Sequence, residues 1–169
     1  MTRRKDPVDG YRAYIDVDSW IDFHVLEVLS GNVDALHFST FFYKPRAGKI
    51  TYGPHWDFDR ALGSLDERDS EPRRWNTGRF FHAPWWGKLF TDPDFWQLWV
   101  DRWQELRKTN FSETNIFGLI DRLASEVKPD AGAVRLGFAA ELVVDLHDES
   151  LVWLLPDQEV QKAGIRFAG

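Results

Sequence analysis

The chain has 169 residues, of which 43% are hydrophobic and 28% charged, a composition that supports one domain with a sizeable core. Its net charge of −6 lacks the basic excess of a nucleic-acid-binding protein, and the absence of cysteine excludes disulfides, thiolate metal sites and cysteine nucleophiles. No apolar stretch of the sequence approaches the roughly 18 residues of a membrane span, and residues 1–10 are predicted to form a polar lead-in without a signal-peptide core.

The first helix is predicted over residues 16–31, DVDSWIDFHVLEVLSG. Asp16 or Asp18 can cap its amino end, and Gly31 stands where helices commonly end. Apolar residues cover most of its circumference, and a helix of this kind is usually buried. We therefore expect an inner helix, with His24 as a hydrogen-bonded histidine of the core.

A β-hairpin is predicted next. Residues 38–44 are aromatic and rich in β-formers, residues 45–49 have the composition of a turn, and residues 50–54 resemble a second strand. Residues 32–37 before it are predicted to be a loop. Residues 64–79 are polar and interrupted by Pro and Gly, which indicates an exposed loop.

Two helices are predicted in the second half of the chain. Residues 92–109 have Asp92 as a cap and Pro93 at the first helical position, and residues 112–129 begin at a capping Ser112. The second of these helices has an apolar stripe formed by Ile116, Leu119, Ile120, Leu123 and Val127.

The tryptophans could suggest a platform for carbohydrate, but their helical spacing favours core packing. The residues concerned are Trp85, Trp86, Trp96, Trp99 and Trp103. After residue 130 the periodicity weakens, and residues 156–169 are predicted to be a loosely held tail.

Three aspartates are candidates for chemistry. Asp34 lies in the loop that leaves the buried helix, while Asp57 and Asp59 follow the hairpin, so the two positions can converge at the open end of the hairpin. Carboxylate oxygens are preferred ligands of Mg²⁺. The structural alternatives are an Asx turn at Asp34, helped by Asn32 as a loop-shaping residue, and capping carboxylates at a strand end.

The stretch GPHWDFD, residues 53–59, alternates aromatic and acidic side chains. We expect Trp56 and Phe58 to pack inward and fix the loop, with the aspartates facing a cleft. His55 could add a metal ligand, although packing beside the loop is the simpler interpretation.

The order of helix, Asp-bearing loop, two short strands and Asp-Phe-Asp resembles the catalytic core of protein kinases. Residues 14–44, 53–63 and 80–107 resemble more specifically the CotH kinases, atypical protein kinases named after a bacterial spore-coat protein. The resemblance covers roughly residues 11–128. The pair of motifs GNVD and GP-x-WDFD at this separation carries it, since either motif alone would be weak.

The resemblance implies an α+β, mostly helical fold: a protein-kinase-like C-terminal lobe over residues 11–155, with a short β-hairpin between the catalytic loop and the DFD motif. It implies ATP and Mg²⁺ as cofactors and a Ser or Thr of a protein substrate as the phosphoryl acceptor.

The resemblance also assigns roles to residues. Asp34 would be the catalytic aspartate, Asp57 the aspartate that holds Mg²⁺ and nucleotide, and Asp59 a second metal contact. Ser39 stands where many kinases have an Asn that binds a second metal. It would be a nucleotide-site residue and a weaker, neutral ligand.

One departure is that only 33 residues precede Asp34, too few for the phosphate-covering loop, lysine and glutamate of a kinase N-terminal lobe. We therefore expect a fragment of a longer kinase or a degenerate member. The alternatives are a non-catalytic, pseudokinase-like binding module and a metal-dependent hydrolase built on His55, Asp57 and Asp59. A further set of residues could bind phosphate but is more simply a solvated loop: Arg73, Arg74 and Arg79.

Overall fold

A computed structural model describes residues 6, 10–32, 34–63, 78–83 and 85–126 of the chain. After a short 3-10 turn, Tyr11–Ala13, the elements in chain order are α1 (Val17–Ser30), β1 (Phe42–Tyr43), β2 (Thr51–Tyr52), α2 (Gly78–Phe81), α3 (Trp86–Leu89), α4 (Pro93–Lys108) and α5 (Glu113–Glu126). The part of the chain that is described is mostly helical with one two-stranded antiparallel sheet. The α+β prediction is confirmed at this level, while the kinase-like lobe stays a prediction.

Several predicted segments lie partly or wholly outside the described residues. These are the polar lead-in at 1–10 apart from residues 6 and 10, most of the loop at 64–79, whose last two residues belong to α2, the predicted lobe after residue 126, and the tail at 156–169. Arg73, Arg74 and Val127 lie outside as well. Among the described helices, none has the length and apolarity that a membrane crossing requires.

Helix α1 begins and ends where its sequence predicts. The side chain of Asp16 accepts a hydrogen bond from the Ser19 backbone N–H at 3.3 Å. Gly31 adopts the left-handed conformation, with φ of 62°, and its N–H donates to the Val28 carbonyl at 3.1 Å. A glycine at this position avoids the Cβ clash that other residues meet at positive φ.

The predicted inner position of α1 is confirmed. It contacts α4 and β2, and the Arg102 guanidinium of α4 donates from Nε to Asp22 at 2.6 Å, joining the two helices. The buried residues of α1 are Trp20, Ile21, Phe23, His24, Val25, Glu27, Val28 and Ser30.

His24 is the central polar group of the core. Trp99 Nε1 donates to His24 Nδ1 at 3.1 Å, so Nε2 carries the proton and donates to the Phe80 carbonyl at 3.2 Å. Burial lowers the pKa of this imidazole from 6.5 to about 3, because the charged form would lose its hydration. His24 is thus the satisfied core histidine that the sequence predicts.

The hairpin is shorter than predicted, with two residues in each strand. Phe42 pairs with Tyr52 and Tyr43 with Thr51. Two hydrogen bonds attach the second strand and the residue before it to α1. Trp20 Nε1 donates to the Ile50 carbonyl at 3.0 Å, and the Tyr52 N–H donates to Ser19 Oγ at 3.2 Å. The hairpin therefore depends on its contacts with α1, because an isolated two-stranded sheet is at best marginally stable.

The tryptophan prediction is right for four of its five residues. Trp86, Trp96, Trp99 and Trp103 are buried, whereas Trp85 is 53% exposed. Trp85 directly precedes α3, and its ring contacts Phe42 at 5.9 Å between centroids. Helical spacing cannot assign a residue that lies before the first turn of such a short helix.

Helix α4 starts at Pro93 as predicted, with the Asp92 carboxylate accepting the Asp94 N–H at 3.3 Å. Helix α5 forms, but Leu119 and Leu123 of its apolar stripe are exposed. Within the described residues Ile116 packs partly against the core. The apolar stripe of α5 thus has the predicted spacing, but Leu119 and Leu123 are not buried within the described residues.

The adjacent residues Trp86 and Trp85 form a matched pair for a stability test, since Trp86 is 1% exposed and Trp85 is 53% exposed. We expect Trp86→Ala to lower the free energy of unfolding by about 3–5 kcal/mol, because it leaves a cavity among packed aromatic rings. Trp85→Ala should cost less than about 1 kcal/mol. Urea unfolding measures both, and equal losses would contradict the burial described here.

His24 should also make stability depend on pH. The unfolded chain binds a proton at this residue below about pH 6.5, while the folded chain does so only near pH 3. Stability contributed by the neutral, buried imidazole is therefore lost as the pH falls through this window, by about 1.4 kcal/mol per pH unit. His24→Gln should remove that component of the slope, measured by urea unfolding from pH 7 to pH 4. The exposed His82→Gln should keep it, and identical slopes in wild type and His24→Gln would contradict the assignment.

Candidate functional site

The two loops that the sequence expects to converge meet at the buried side chain of Asn32. Its Oδ1 accepts the Asp34 backbone N–H at 3.3 Å, and its Nδ2 donates to the Asp57 backbone carbonyl at 3.4 Å. The Asn32 N–H donates in turn to the Glu27 carbonyl at 3.2 Å. One amide thus joins the end of α1 to both loops, which agrees with the loop-shaping interpretation of Asn32 and extends it to the second loop.

Asp57 and Ser39 are in direct contact. Ser39 Oγ donates to Asp57 Oδ2 at 3.0 Å, and Asp57 is exposed. Both residues have positive φ, 47° at Ser39 and 65° at Asp57. The structure therefore brings together the two residues that the sequence assigns to the nucleotide site.

Left-handed backbone at non-glycine residues recurs in the two segments that carry this contact. The four such residues in the described part of the chain are Leu36, Ser39, Asp57 and Leu62. Such conformations cost on the order of 1 kcal/mol or more each and persist where the surrounding structure holds them. One such restraint is the Leu62 N–H, which donates to the Ser30 carbonyl at 2.9 Å and returns the loop to the end of α1.

Asp34 is partly exposed and lies beside a cation that the sequence analysis did not single out. Arg60 Nη1 is 3.9 Å from Asp34 Oδ2, and both side chains are accessible to solvent. Arg60 immediately follows the Asp-Phe-Asp motif. The guanidinium places positive charge next to the predicted catalytic carboxylate, so the site holds both signs of charge.

Asp59 lies exposed two residues after Asp57, and the contacts described for the loop do not join the two carboxylates. Within the described ranges, no group of three or more His, Cys, Asp or Glu side chains is placed to hold a metal ion. The oxygens of Asp57, Asp59 and Ser39 nonetheless fit the chemistry of Mg²⁺. This ion commonly binds through one or two carboxylates, with water and substrate phosphates completing its coordination.

His55 packs beside the loop. Its ring stacks on Phe23 at 4.9 Å with an interplanar angle of 6°, and its Nδ1 is 3.9 Å from Glu27 Oε1. The packing interpretation is therefore confirmed.

The expectation for Trp56 is wrong, since its side chain is 59% exposed, while Phe58 is partly buried. The inference assumed strand-like alternation across GPHWDFD. β2 ends at Tyr52, however, and the positive φ of Asp57 breaks the alternation.

Glu27 is the second site residue that the sequence analysis missed. It is 1% exposed, and burial raises the pKa of its carboxyl, with the nearby His55 and Asn32 opposing that effect. The available signal was an acidic residue between Leu26 and Val28 in a helix predicted to be buried.

A family model described as CotH kinase protein matches residues 2–134 of the chain. The match includes every described residue, and thus both loops of the candidate site. No curated protein and no solved structure matches the chain.

Replacement of Asn32 tests whether one amide holds the two loops together. Asn32→Ala leaves the Asp34 N–H and the Asp57 carbonyl without this partner, and we expect the free energy of unfolding to fall by about 1–3 kcal/mol. Asn110→Ala, at an exposed asparagine, should change it by less than about 0.5 kcal/mol. Urea unfolding measures both variants, and an unchanged free energy of unfolding in Asn32→Ala would show that the amide does not hold the two loops together.

Proposed function

Because the chain belongs to the CotH kinase family, we propose that it provides the magnesium-binding and acceptor-binding side of an ATP-dependent protein kinase. The reaction would transfer the γ-phosphoryl group of ATP to a serine or threonine hydroxyl of a protein. The observation that carries the proposal is the Asn32 amide, which holds the loops of Asp34 and Asp57 side by side. Phosphoryl transfer depends on positioned charge more than on covalent chemistry, so such a pair of loops is the feature it needs.

Asp34 would orient the acceptor hydroxyl and accept its proton. The carboxylate is partly exposed, so a substrate can reach it, while its backbone N–H is fixed by Asn32. Arg60, 3.9 Å from the Asp34 carboxylate, would place positive charge beside the transferred phosphoryl group. A cation in that position stabilises negative charge on the transferred group.

Asp57 would be the principal magnesium ligand, with Asp59 as a second contact. When bound, Mg²⁺ supplies neutralisation of phosphate charge. The Ser39 hydroxyl, 3.0 Å from Asp57 Oδ2, fixes the orientation of this carboxylate. Ser39 lies in the Asp34 loop, so the same contact also sets the distance between the two loops.

One observation favours an alternative, a non-catalytic pseudokinase-like module. The position where many kinases have a metal-binding Asn carries the neutral hydroxyl of Ser39, a weaker ligand for a second metal ion. Such a module would bind nucleotide or protein without transferring phosphate. The hydrolase alternative has no comparable support, because His55 stacks on Phe23 and approaches Glu27.

Substitutions at the two aspartates test the proposal. The assay follows transfer of ³²P from [γ-³²P]ATP to casein with Mg²⁺, and Mn²⁺ affinity is measured in parallel by calorimetry. We expect Asp57→Ala to abolish transfer and to weaken Mn²⁺ binding. Asp34→Asn should reduce transfer at least about 100-fold, the typical range for loss of a general base, with Mn²⁺ affinity within about twofold of wild type.

Asp101→Asn, at an exposed carboxylate of α4, is the matched control and should leave transfer and Mn²⁺ affinity unchanged. Retained transfer in Asp57→Ala would refute its role as the magnesium ligand. Mn²⁺–ATP binding without transfer in the wild-type protein would select the pseudokinase-like alternative.

A further inference from the structure

Glu27 is a buried acid in the last turn of α1, immediately before the loop of Asp34. It is 1% exposed, and its Oε2 has no hydrogen-bond partner in the described structure. A carboxyl group removed from water without full compensation destabilises a fold. An apolar residue of similar volume would pack in this helix at less cost, so burial alone does not explain an acid at this position.

The surroundings of the Glu27 carboxyl are the residues that hold the candidate site. His55 Nδ1 lies 3.9 Å from Oε1, too far for a direct hydrogen bond but close enough for an electrostatic contact. Asn32 is hydrogen-bonded to Glu27 through the backbone, and its side-chain amide opposes the rise that burial causes in the pKa of the Glu27 carboxyl. An amide nitrogen carries two hydrogens, so Asn32 can serve both Asp57 and Glu27.

The two neighbours belong to different loops. Asn32 leads into the segment of Asp34, and His55 lies two positions before Asp57. The ring of His55 also stacks on Phe23 at 4.9 Å and makes a tilted contact with Phe58 at 6.3 Å between centroids. A carboxyl group between them is a further polar contact between the two loops, in addition to the Asn32 and Ser39 hydrogen bonds.

We propose that Glu27 is a positioning residue, whose buried carboxyl holds Asn32 and His55 and thereby sets the loops of Asp34 and Asp57 relative to each other. The proposal rests on the proposed function where it treats these loops as the active site. The raised pKa of Glu27, caused first by burial and opposed by His55 and Asn32, agrees with this contact set. Glu27 is not a catalytic residue, because it reaches the site through these two neighbours.

The test compares two substitutions of Glu27 that differ in polarity and not in size. Glu27→Gln keeps a side chain that can contact Asn32 and His55, whereas Glu27→Met keeps the packing and removes the polar contacts. Val25→Ala, at a fully buried residue of the same helix, is the control for general destabilisation. The readout is amide hydrogen exchange by NMR at Asp34 and Leu62, which report the two loops, and at Trp99 in α4.

We expect Glu27→Met to speed exchange at Asp34 and Leu62 by at least about tenfold while Trp99 exchanges no faster than in wild type. Glu27→Gln should stay within about threefold of wild type at all three amides. Val25→Ala should speed exchange globally, without selecting the loops. Unchanged exchange rates at Asp34 and Leu62 in Glu27→Met would overturn the proposal. Equal acceleration at Trp99 and at the loops would overturn it as well, because Glu27 would then be a structural residue only.

A second measurement separates this proposal from the proposed function. Calorimetric titration with Mn²⁺ alone should show affinity weakened about tenfold in Glu27→Met and recovered to within about twofold in Glu27→Gln. If the wild-type chain binds no Mn²⁺, the magnesium site of the proposed function fails, and hydrogen exchange still decides the role of Glu27. If wild type binds Mn²⁺ and Glu27→Met binds it equally well, positioning by Glu27 is refuted.

Discussion

Burial of helix α1 is the constraint on which the rest of the structure depends. The hairpin is attached to it through Trp20 and Ser19, helix α4 is joined to it through Asp22, and the candidate site begins at its last turn. Its defined ends matter as much as its apolar face. Because Asp16 and Gly31 fix where the helix starts and stops, the residues that follow leave the core in one direction, and Asn32 meets both loops.

The core around α1 is built from aromatic rings, which bury large areas in a small domain. Tryptophan rings bring N–H groups into the core, and the imidazole of His24 satisfies the one on Trp99 at its centre. His24 accepts from Trp99 and donates to Phe80, so α1 is hydrogen-bonded to α4 and α2 without a buried charge. At the other end of the helix the polar group is a carboxyl, Glu27, which is less completely partnered. His24 is thus a buried polar residue that stabilises the core, whereas the proposed role of Glu27 is to position the two loops.

The sequence allowed prediction of the elements whose signals are local. The caps Asp16, Gly31 and Asp92 satisfy backbone groups next to them, so their roles can be inferred from neighbouring residues. The hairpin was predictable for the same reason, although its strands are shorter than the β-rich composition suggested. Trp85 and Trp56 were assigned to the core on periodicity, and both are exposed because the regular element assumed for each does not extend to its position.

The candidate site was predictable in part. The pairing of two Asp-bearing loops followed from their order along the chain, and Ser39 was placed by resemblance. Arg60 and Glu27 were not found, because their partners, Asp34 and His55, are brought to them by the fold and by no short-range spacing. Long-range polar contacts of this kind depend on loop geometry that a single sequence does not specify.

The loops combine unfavourable backbone conformations with exposed acidic groups, and the backbone conformations persist because hydrogen bonds to the end of α1 restrain them. Ser39 and Asp57 both have positive φ, and their side chains are in hydrogen-bond contact at 3.0 Å. Such turns are compatible with a fixed site when the backbone is hydrogen-bonded to a rigid element, which Ser30 and Asn32 provide. The carboxylates themselves remain hydrated, so their charge is kept without the penalty of burial. Stability is therefore carried by the aromatic core and the end of α1, while the acidic groups stay accessible to a cation and a phosphate.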